Sequence, residues 1–362
     1  MDERSVAAYD YDLPAGLIAQ SPAERRDAAR LMIVGDDALE DRIFAELPEI
    51  LRPDDLLVLN ETRVIKARLQ AHRETGGRVE VLLLQPQGDR GYDPQASAWT
   101  ALVRPAKRMR ESERLSLHAH DGEALGSATV TRTLPGGLRE LRFELALPFE
   151  ELLERAGRLP LPPYIHNESD AAQARYQTVF ARTPGSVAAP TAALHFTTEL
   201  LDRLESRGIE IVKLCLDVGL GTFQPMRGER IDEHAMHAER YAISSDAVER
   251  ITRARAAGRR IVAAGTTVVR ALEGNVAEHG ALVAEEGKTA LFITPGFRFR
   301  VVDAMITNFH LPRSTLLVLV SAFAGRERVF RAYGAAIEGG YRFFSFGDAM
   351  FLCRAERSRE GA

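Results

Sequence analysis

The chain of 362 residues is 45% hydrophobic and 27% charged, which is typical of a globular protein of about two domains. Its net charge of −4 argues against a protein that coats nucleic acid nonspecifically, but agrees with an enzyme that acts selectively on RNA. The two cysteines lack metal-binding spacing, no apolar stretch is long enough to span a membrane, and the N-terminus has no apolar signal. We therefore expect a cytoplasmic protein without membrane contact.

Short strands dominate the first part of the chain. An apolar strand at residues 56–59 ends in Asn60, and between residues 66 and 150 short β-type segments alternate with glycine-containing turns. Within one of them Leu141 and Phe143 alternate with Arg142 and Glu144, as in a half-buried strand. This spacing predicts a small all-β, barrel-like domain.

From residue 151 the pattern changes to alternating helices and strands. Helices are predicted at residues 198–207, 245–257 and 326–337, and strands at 209–218, 260–264 and 289–293. Such alternation is typical of an α/β domain. We therefore predict an α/β domain with a mixed sheet, formed by residues 1–65 and 151–362, which is interrupted by the small all-β domain at 66–150.

A glycine motif directly follows the predicted strand at 209–218. Gly219 and Gly221, with Thr222 next, would let backbone amides approach a phosphate or sugar closely. The third glycine of a dinucleotide-binding fingerprint is missing, so a plain tight turn remains the alternative. A nicotinamide-dependent oxidoreductase would need that complete strand–glycine–helix unit, which counts against it.

Two histidines close to each other could suggest a metal site. His234 and His237 would share one face of a helix, with Glu239 nearby. Neither an HExxH order nor a further ligand accompanies them. We therefore expect no metal here, and interpret His237 as a hydrogen-bonded histidine or a general base.

The C-terminal third places polar residues between aromatic ones. Many of the phenylalanines there belong to the core, but polar groups at this density beside proline and glycine turns indicate a binding site. The candidates are Asn308, His310, Arg313, Ser314, Thr315, Tyr341, Arg342, Phe344 and Asp348.

A basic run lies at residues 104–114. Arg104, Lys107, Arg108 and Arg110 could contact RNA phosphates, and a solvated loop is the alternative. A non-enzymatic RNA-binding protein would rest on this run alone, and would leave the polar C-terminal residues without a purpose.

Long segments of the chain resemble the S-adenosylmethionine:tRNA ribosyltransferase-isomerases of queuosine biosynthesis. The resemblance runs almost end to end and includes residues 11–34, 57–69, 184–197, 263–273, 292–325 and 332–350. It departs at Asp217, where the family is expected to have histidine, and at Ala29, where serine is usual. The family fold, an α/β domain with a β-barrel insertion, agrees with the change of pattern described above.

The resemblance implies an unusual use of S-adenosylmethionine, as a ribosyl donor. The ribosyl group would be transferred to 7-aminomethyl-7-deazaguanine at the wobble position of tRNA and isomerised, giving epoxyqueuosine with release of methionine and adenine. S-adenosylmethionine would thus be a consumed substrate, with no tightly bound cofactor. The partner would be tRNA carrying the precursor base, and we expect a monomer.

Roles for single residues follow from their chemistry on these motifs. We predict His310 and Asp348 for proton transfer, with His237 as the next candidate, because an ordinary histidine pKa near 6.5 suits a base at neutral pH. The donor would be held by Gly219, Gly221 and Thr222, and a base or the sulfonium by Tyr341, Arg342 and Phe344. The remaining candidates, Asn308, Arg313, Ser314 and Thr315, would complete the substrate-binding surface.

Overall fold

The computed structural model describes residues 2–88, 92–167, 169–219, 221, 225–226 and 228–355. The chain divides into two compact units. The first comprises Met1–Thr62, Pro162–Thr183 and Ala189–Ala362, and the second Arg63–Leu161 and Pro184–Ala188.

The described residues form strands and α-helices throughout the chain. In chain order the strands are β1 (Arg30–Val34), β2 (Leu39–Ile43), β3 (Leu56–Asn60), β4 (Thr62–Val64), β5 (Arg68–Arg73), β6 (Arg78–Pro86), β7 (Ala98–Arg104), β8 (Arg114–His118), β9 (Ala124–Thr133), β10 (Leu138–Leu145), β11 (Gly157–Arg158), β12 (Thr183–Ser186), β13 (Glu210–Leu216), β14 (Glu239–Ile243), β15 (Ile261–Ala264), β16 (Glu285–Thr289), β17 (Ala304–Asn308) and β18 (Ala349–Cys353). The helices are α1 (Leu47–Ile50), α2 (Phe149–Ala156), α3 (Asp170–Arg175), α4 (Thr198–Ser206), α5 (Ser245–Ala256), α6 (Thr266–His279), α7 (Thr315–Ala324) and α8 (Arg326–Glu338). None of these helices is both long and apolar enough to cross a membrane.

The first unit is built on a mixed sheet, as predicted. Its strand order is β16-β14-β13-β3-β15-β17-β18-β1-β2. The neighbours β13, β3, β15 and β17 run parallel, whereas β18 is antiparallel to β17 and the outer strands β14, β16 and β2 are antiparallel to their neighbours. Every residue of β3, β15 and β17 is buried, as expected for central parallel strands with both faces covered.

One predicted strand of this unit lies elsewhere. We expected residues 289–293 to form it because they are apolar, but the observed strand is β16, which precedes them. β16 is a polar edge strand, and its pairing with β14, from Glu239 opposite Thr289 to Ile243 opposite Glu285, determines its position. Edge strands carry charged residues readily, so local hydrophobicity does not identify them.

The second unit is a small antiparallel barrel, which confirms the predicted all-β insertion. Six strands follow the order β5-β6-β7-β10-β9-β8, and a further pairing between β5 and β8 closes the ring. Strand β7 illustrates the alternation, since Trp99, Ala101 and Val103 are buried inside. Trp99 stacks on Phe149 of α2 with the ring centroids 5.0 Å apart. Closure leaves these strands without a free edge.

Candidate active site

One cavity of the first unit lies at an edge of the mixed sheet. Val218, Gly265 and Asn308 line it, and these residues stand at or just after the carboxyl ends of the parallel strands β13, β15 and β17. Ligands of open α/β sheets bind at this edge, and small-molecule sites have apolar walls with a few polar groups, as this cavity does. We take it as the candidate active site and call it the main cavity.

The amino end of α6 forms part of the main cavity wall. Gly265 has a φ of +100°, a conformation that favours glycine, and it turns the chain from β15 directly into α6. No side chain caps this helix, and Thr266, which is 6% exposed, has no hydrogen-bond partner among the described residues. Free amides and a positive dipole end favour a negative group here.

We did not predict Gly265, Thr266 or Thr267 as site residues. The signal was present in the sequence: a strand of small apolar residues leads into glycine and then into a helix. We assigned donor binding to the glycine-x-glycine motif instead.

The segment before α7 contributes unequally to the main cavity. Ser314 lines it and also caps α7, because its hydroxyl accepts a hydrogen bond from the Leu317 amide at 3.2 Å. Thr315, the first residue of α7, and Arg313 do not line the cavity. Arg313 is exposed and has a φ of +57°, and its amide donates to the Tyr9 carbonyl at 2.8 Å.

His310 lies in the main cavity wall and is 8% exposed. Its Nε2 is 2.9 Å from the Thr307 hydroxyl, and its backbone amide donates to the Tyr333 hydroxyl at 2.8 Å. Burial lowers the pKa of this imidazole to about 3, which corrects our expectation of a value near 6.5. His310 is therefore neutral at physiological pH.

Asn308 joins the main cavity to a second histidine. Its Nδ2 donates to the Phe344 carbonyl at 2.7 Å, and its Oδ1 is 3.2 Å from Nε2 of His195. Since the amide oxygen can only accept, His195 must donate through Nε2. Burial lowers the pKa of His195 to about 4 despite this bond. Sequence reasoning missed His195, because nothing local distinguishes it from a core histidine.

Aromatic groups form the opposite part of the wall. Phe344 lines the main cavity with a φ of +73°, and its ring lies 4.8 Å from that of Tyr164. The Tyr164 hydroxyl is 2.6 Å from the Ser345 hydroxyl, and both residues also line the cavity. These faces could contact a base or a cation.

Asp348 does not line the main cavity. Its carboxylate, only 2% exposed, accepts hydrogen bonds from the amides of Arg30 and Arg342 at 3.0 and 2.8 Å and from the Arg342 guanidinium at 3.3 Å. The partner of the His310 imidazole is Thr307, not Asp348. Asp348 therefore holds the turn at residues 342–348, which carries Phe344, and we treat it as a positioning residue.

Tyr341 and Arg342 also lie outside the main cavity wall. The Tyr341 ring is covered by the Arg30 guanidinium, 3.6 Å from its centroid, and its hydroxyl donates to Asp41. Arg342 lines a smaller neighbouring cavity.

Among the described residues of the glycine motif, Val218 lines the main cavity and Gly219 and Gly221 do not. The Gly219 amide donates to Glu239 Oε1 at 3.1 Å, and Glu239 in turn forms a buried ion pair with Arg270 of α6. Gly221 lies so close to His237 that an added Cβ would be 2.7 Å from the imidazole. His237 is exposed, and Thr222 lies outside the described residues.

Asp217 precedes this motif, at the position where we expected a histidine in the family. Burial raises the pKa of its carboxyl to about 6, although the Thr62 hydroxyl donates to it at 3.3 Å. The carboxyl group therefore titrates close to the range of an ordinary histidine.

Within the described ranges, one group of three side chains is close enough to hold a metal ion. It consists of Glu278, His279 and Glu285, and it does not include His234 or His237. Partly exposed carboxylates are common without an ion, so we assign no metal to them.

The four predicted RNA contacts lie in the barrel unit. Arg104 ends β7, and Lys107, Arg108 and Arg110 follow in the next turn. All four side chains are exposed, so they are free to meet a ligand or solvent.

The two buried histidines predict acid sensitivity. Both have a lower pKa in the folded than in the unfolded chain, so below about pH 6.5 the unfolded chain binds protons that the folded one does not. Between pH 7 and 5 each should cost about 2 kcal/mol of the free energy of unfolding. The carboxyl group of Asp217 has a raised pKa in the folded chain, so its contribution to the free energy of unfolding increases as the pH falls, opposite to that of the histidines.

The histidine contribution can be isolated by urea unfolding of the wild type and of His195→Gln at pH 7 and pH 5. We expect the variant to lose less stability on acidification than the wild type. An equal loss in both proteins would contradict a buried neutral imidazole at residue 195.

Together, the fold and the main cavity define an α/β enzyme with a barrel insertion and a small-molecule site at the carboxyl edge of its sheet. Residues 6–352 match the family model described as "Queuosine biosynthesis protein", and the chain belongs to this family.

Similar proteins cover nearly the whole chain. An S-adenosylmethionine:tRNA ribosyltransferase-isomerase of Symbiobacterium thermophilum is 52% identical over 95% of this chain and 98% of its own length. One of Azoarcus sp. is 50% identical over 98% and 99%. A crystal structure of S-adenosylmethionine tRNA ribosyltransferase from Thermotoga maritima is 37% identical, covers 95% of this chain and 99% of that one, and has a TM-score of 0.51.

Proposed function

We propose that this chain is a queuosine-biosynthesis enzyme that transfers and isomerises the ribosyl group of S-adenosylmethionine onto 7-aminomethyl-7-deazaguanine at the wobble position of tRNA. The observation that carries the proposal is the end-to-end similarity to named ribosyltransferase-isomerases, at 52% identity in one case. The main cavity supports it, because its walls come from several segments that carry the resemblance, including Ala192, Thr266 and His310. The enzyme would act in the cytoplasm as a monomer, without a tightly bound cofactor.

The main cavity offers complementary groups for the two ends of the donor. The uncapped amino end of α6, with the Thr266 hydroxyl, suits the carboxylate of the methionyl group. The aromatic faces of Tyr164 and Phe344 suit the positive sulfur. In this arrangement the sulfonium and ribose of the donor would face His310, which lines the same cavity.

The reaction requires removal of a proton from the carbon next to the sulfonium, which the positive charge acidifies. Burial keeps the His310 imidazole neutral and Thr307 orients it, so it is free to accept the proton. The same burial lowers its basicity, so the acidifying effect of the sulfonium must supply the driving force. Adenine leaves more readily when protonated, and the same imidazolium would then be an acid in the cavity. The acceptor base must leave the anticodon stack to reach this place.

The decisive experiment supplies labelled S-adenosylmethionine together with tRNA that carries the precursor base. The proposal requires release of adenine and methionine in equal amounts, and transfer of the ribose label to the tRNA. An RNA-binding protein without activity would bind the tRNA and release neither product. A nicotinamide-dependent oxidoreductase would leave the donor intact.

For the barrel unit we propose that the exposed basic residues contact tRNA phosphates. Replacing Arg104, Lys107, Arg108 and Arg110 with glutamine should weaken tRNA binding. Each lost phosphate contact should also lower the log–log salt slope, the steepness with which the logarithm of the tRNA binding constant falls with the logarithm of the salt concentration, by about one unit. Affinity for S-adenosylmethionine should not change. Filter binding at several salt concentrations measures the slope.

The matched control for this prediction is Arg132→Gln, an exposed arginine of the same unit that pairs with Glu140. It should leave the slope unchanged. If the variant with all four substitutions also keeps the wild-type salt slope, the basic run is a solvated loop.

A further inference from the structure

A second, smaller cavity of the first unit is lined by guanidinium groups. Arg26, Arg175 and Arg342 contribute to its wall together with His195 and Ser345, and we call it the arginine pocket. Arg26 and Arg175 were not among the predicted site residues.

The charges of two arginines of the arginine pocket, Arg26 and Arg175, are not compensated. Arg26 donates to the carbonyls of Arg175 and Leu194 at 3.3 and 3.0 Å, and Arg175 donates to those of Ala23 and Glu24, both at 3.0 Å. Neither guanidinium forms an ion pair with a carboxylate in the part of the chain that the structure describes. Carbonyls carry only partial charges and do not neutralise a cation.

The neighbouring acids pair with other arginines. Asp348 pairs with Arg342, and Asp27 pairs through Oδ2 with the exposed Arg25, while its Oδ1 is buried without a hydrogen-bond partner. Burial and the charge of Arg175 together lower the pKa of Arg26 to about 10, which reflects two close cations without a counterion. His195 is neutral, so it adds no charge at physiological pH. Arg175 also keeps one buried nitrogen, Nε, without a hydrogen-bond partner.

The arginine pocket adjoins the main cavity. Ser345 lines both, and the hydrogen bond between His195 and Asn308 joins the wall of one to the wall of the other. The two cavities are therefore immediate neighbours in the first unit.

We propose that the arginine pocket binds an RNA phosphodiester next to the nucleotide that enters the main cavity, an inference that rests on the proposed function. Guanidinium forks match the oxygens of a phosphate, and such contacts position RNA without reading its sequence. Under the proposed function the donor carboxylate would bind at the uncapped amino end of α6, which would leave the arginine pocket to the tRNA.

The test is to replace Arg26 and Arg175 together with glutamine, and to measure binding of precursor-bearing tRNA over a range of salt, with S-adenosylmethionine affinity alongside. We expect a loss of tRNA affinity of about tenfold and a log–log salt slope smaller by about one unit. Donor affinity should stay within about twofold of the wild type. The matched control is Arg253→Gln, an exposed arginine of α5 outside both cavities, which should leave the slope unchanged.

A second arm does not depend on the stability of that variant. tRNA with a neutral methylphosphonate on either side of the wobble nucleotide should bind the wild type less tightly than normal tRNA. Arg26→Lys/Arg175→Lys, which keeps the charge but loses the fork, should retain the salt slope and lose part of the affinity.

Three outcomes would overturn the proposal. Weaker donor binding with unchanged tRNA binding would assign the pocket to the carboxylate of S-adenosylmethionine. Unchanged binding of both tRNA and S-adenosylmethionine would mean that Arg26 and Arg175 only hold the backbone carbonyls to which they donate. Equal binding of the neutral and the normal phosphate would exclude a phosphate contact. Adenine release by the wild type, measured in the same preparation, tests the proposed function separately.

Discussion

His310→Ala is expected to lower turnover by about 100- to 10,000-fold while affinity for S-adenosylmethionine changes little. The imidazole lies in the main cavity wall and is held by Thr307, so its removal takes away a proton acceptor without removing the groups assigned to the donor. Because its pKa is about 3, the pH profile of turnover should show no inflection near 6.5 from this group. Single-turnover kinetics and equilibrium donor binding measure the two effects separately.

The control is Thr307→Val, which leaves the imidazole but removes its partner, and should cost much less turnover. Circular dichroism must show that both variants are folded. A loss of tenfold or less in folded His310→Ala would move proton transfer elsewhere. An inflection near pH 6 would then favour Asp217, whose carboxyl has a pKa in that range, and otherwise His237 is the next candidate.

Glu239→Ala is expected to lower the free energy of unfolding by about 3–5 kcal/mol. Glu239 and Arg270 are both almost fully buried, so removal of the carboxylate leaves a buried guanidinium without its counterion. The Gly219 amide loses its acceptor at the same time, which frees the turn beside the main cavity. Urea unfolding measures the stability, and donor affinity should also fall.

Two comparisons test the cause. Glu239→Leu combined with Arg270→Met should be less destabilised than Glu239→Ala, because no buried charge is left unpaired. Glu49→Ala removes a half-exposed partner of Arg203 and should cost less than about 1 kcal/mol. A similarly small cost for Glu239→Ala would mean that water replaces the carboxylate.

The sequence by itself determined the fold class and most of the elements. Alternating apolar residues identify β10, and a serine before α5 and Gly258 after it delimit that helix, because these signals are local. The sequence predicted Ser245 as the cap, but Ser244 caps the helix and Ser245 is its first residue. It also placed Asn308, His310, Ser314 and Phe344 at a site, since polar groups set among aromatic ones are costly to bury unless they bind a partner. The long C-terminal segments were specific enough to indicate the family.

Only the tertiary structure decided what each of these residues does. His310 and His195 have similar chemistry in the sequence, and burial lowers the pKa of both. The His195 imidazole meets Asn308, which is far away in sequence, whereas the His310 imidazole meets nearby Thr307 and its amide meets the distant Tyr333. The Asp348 carboxylate accepts a hydrogen bond from the backbone amide of Arg30, which is 318 residues away in sequence. The arginine pocket likewise joins Arg26 to Arg175. A pKa and a hydrogen-bond partner depend on desolvation and on long-range contacts, and neither is encoded in the residues next in the chain.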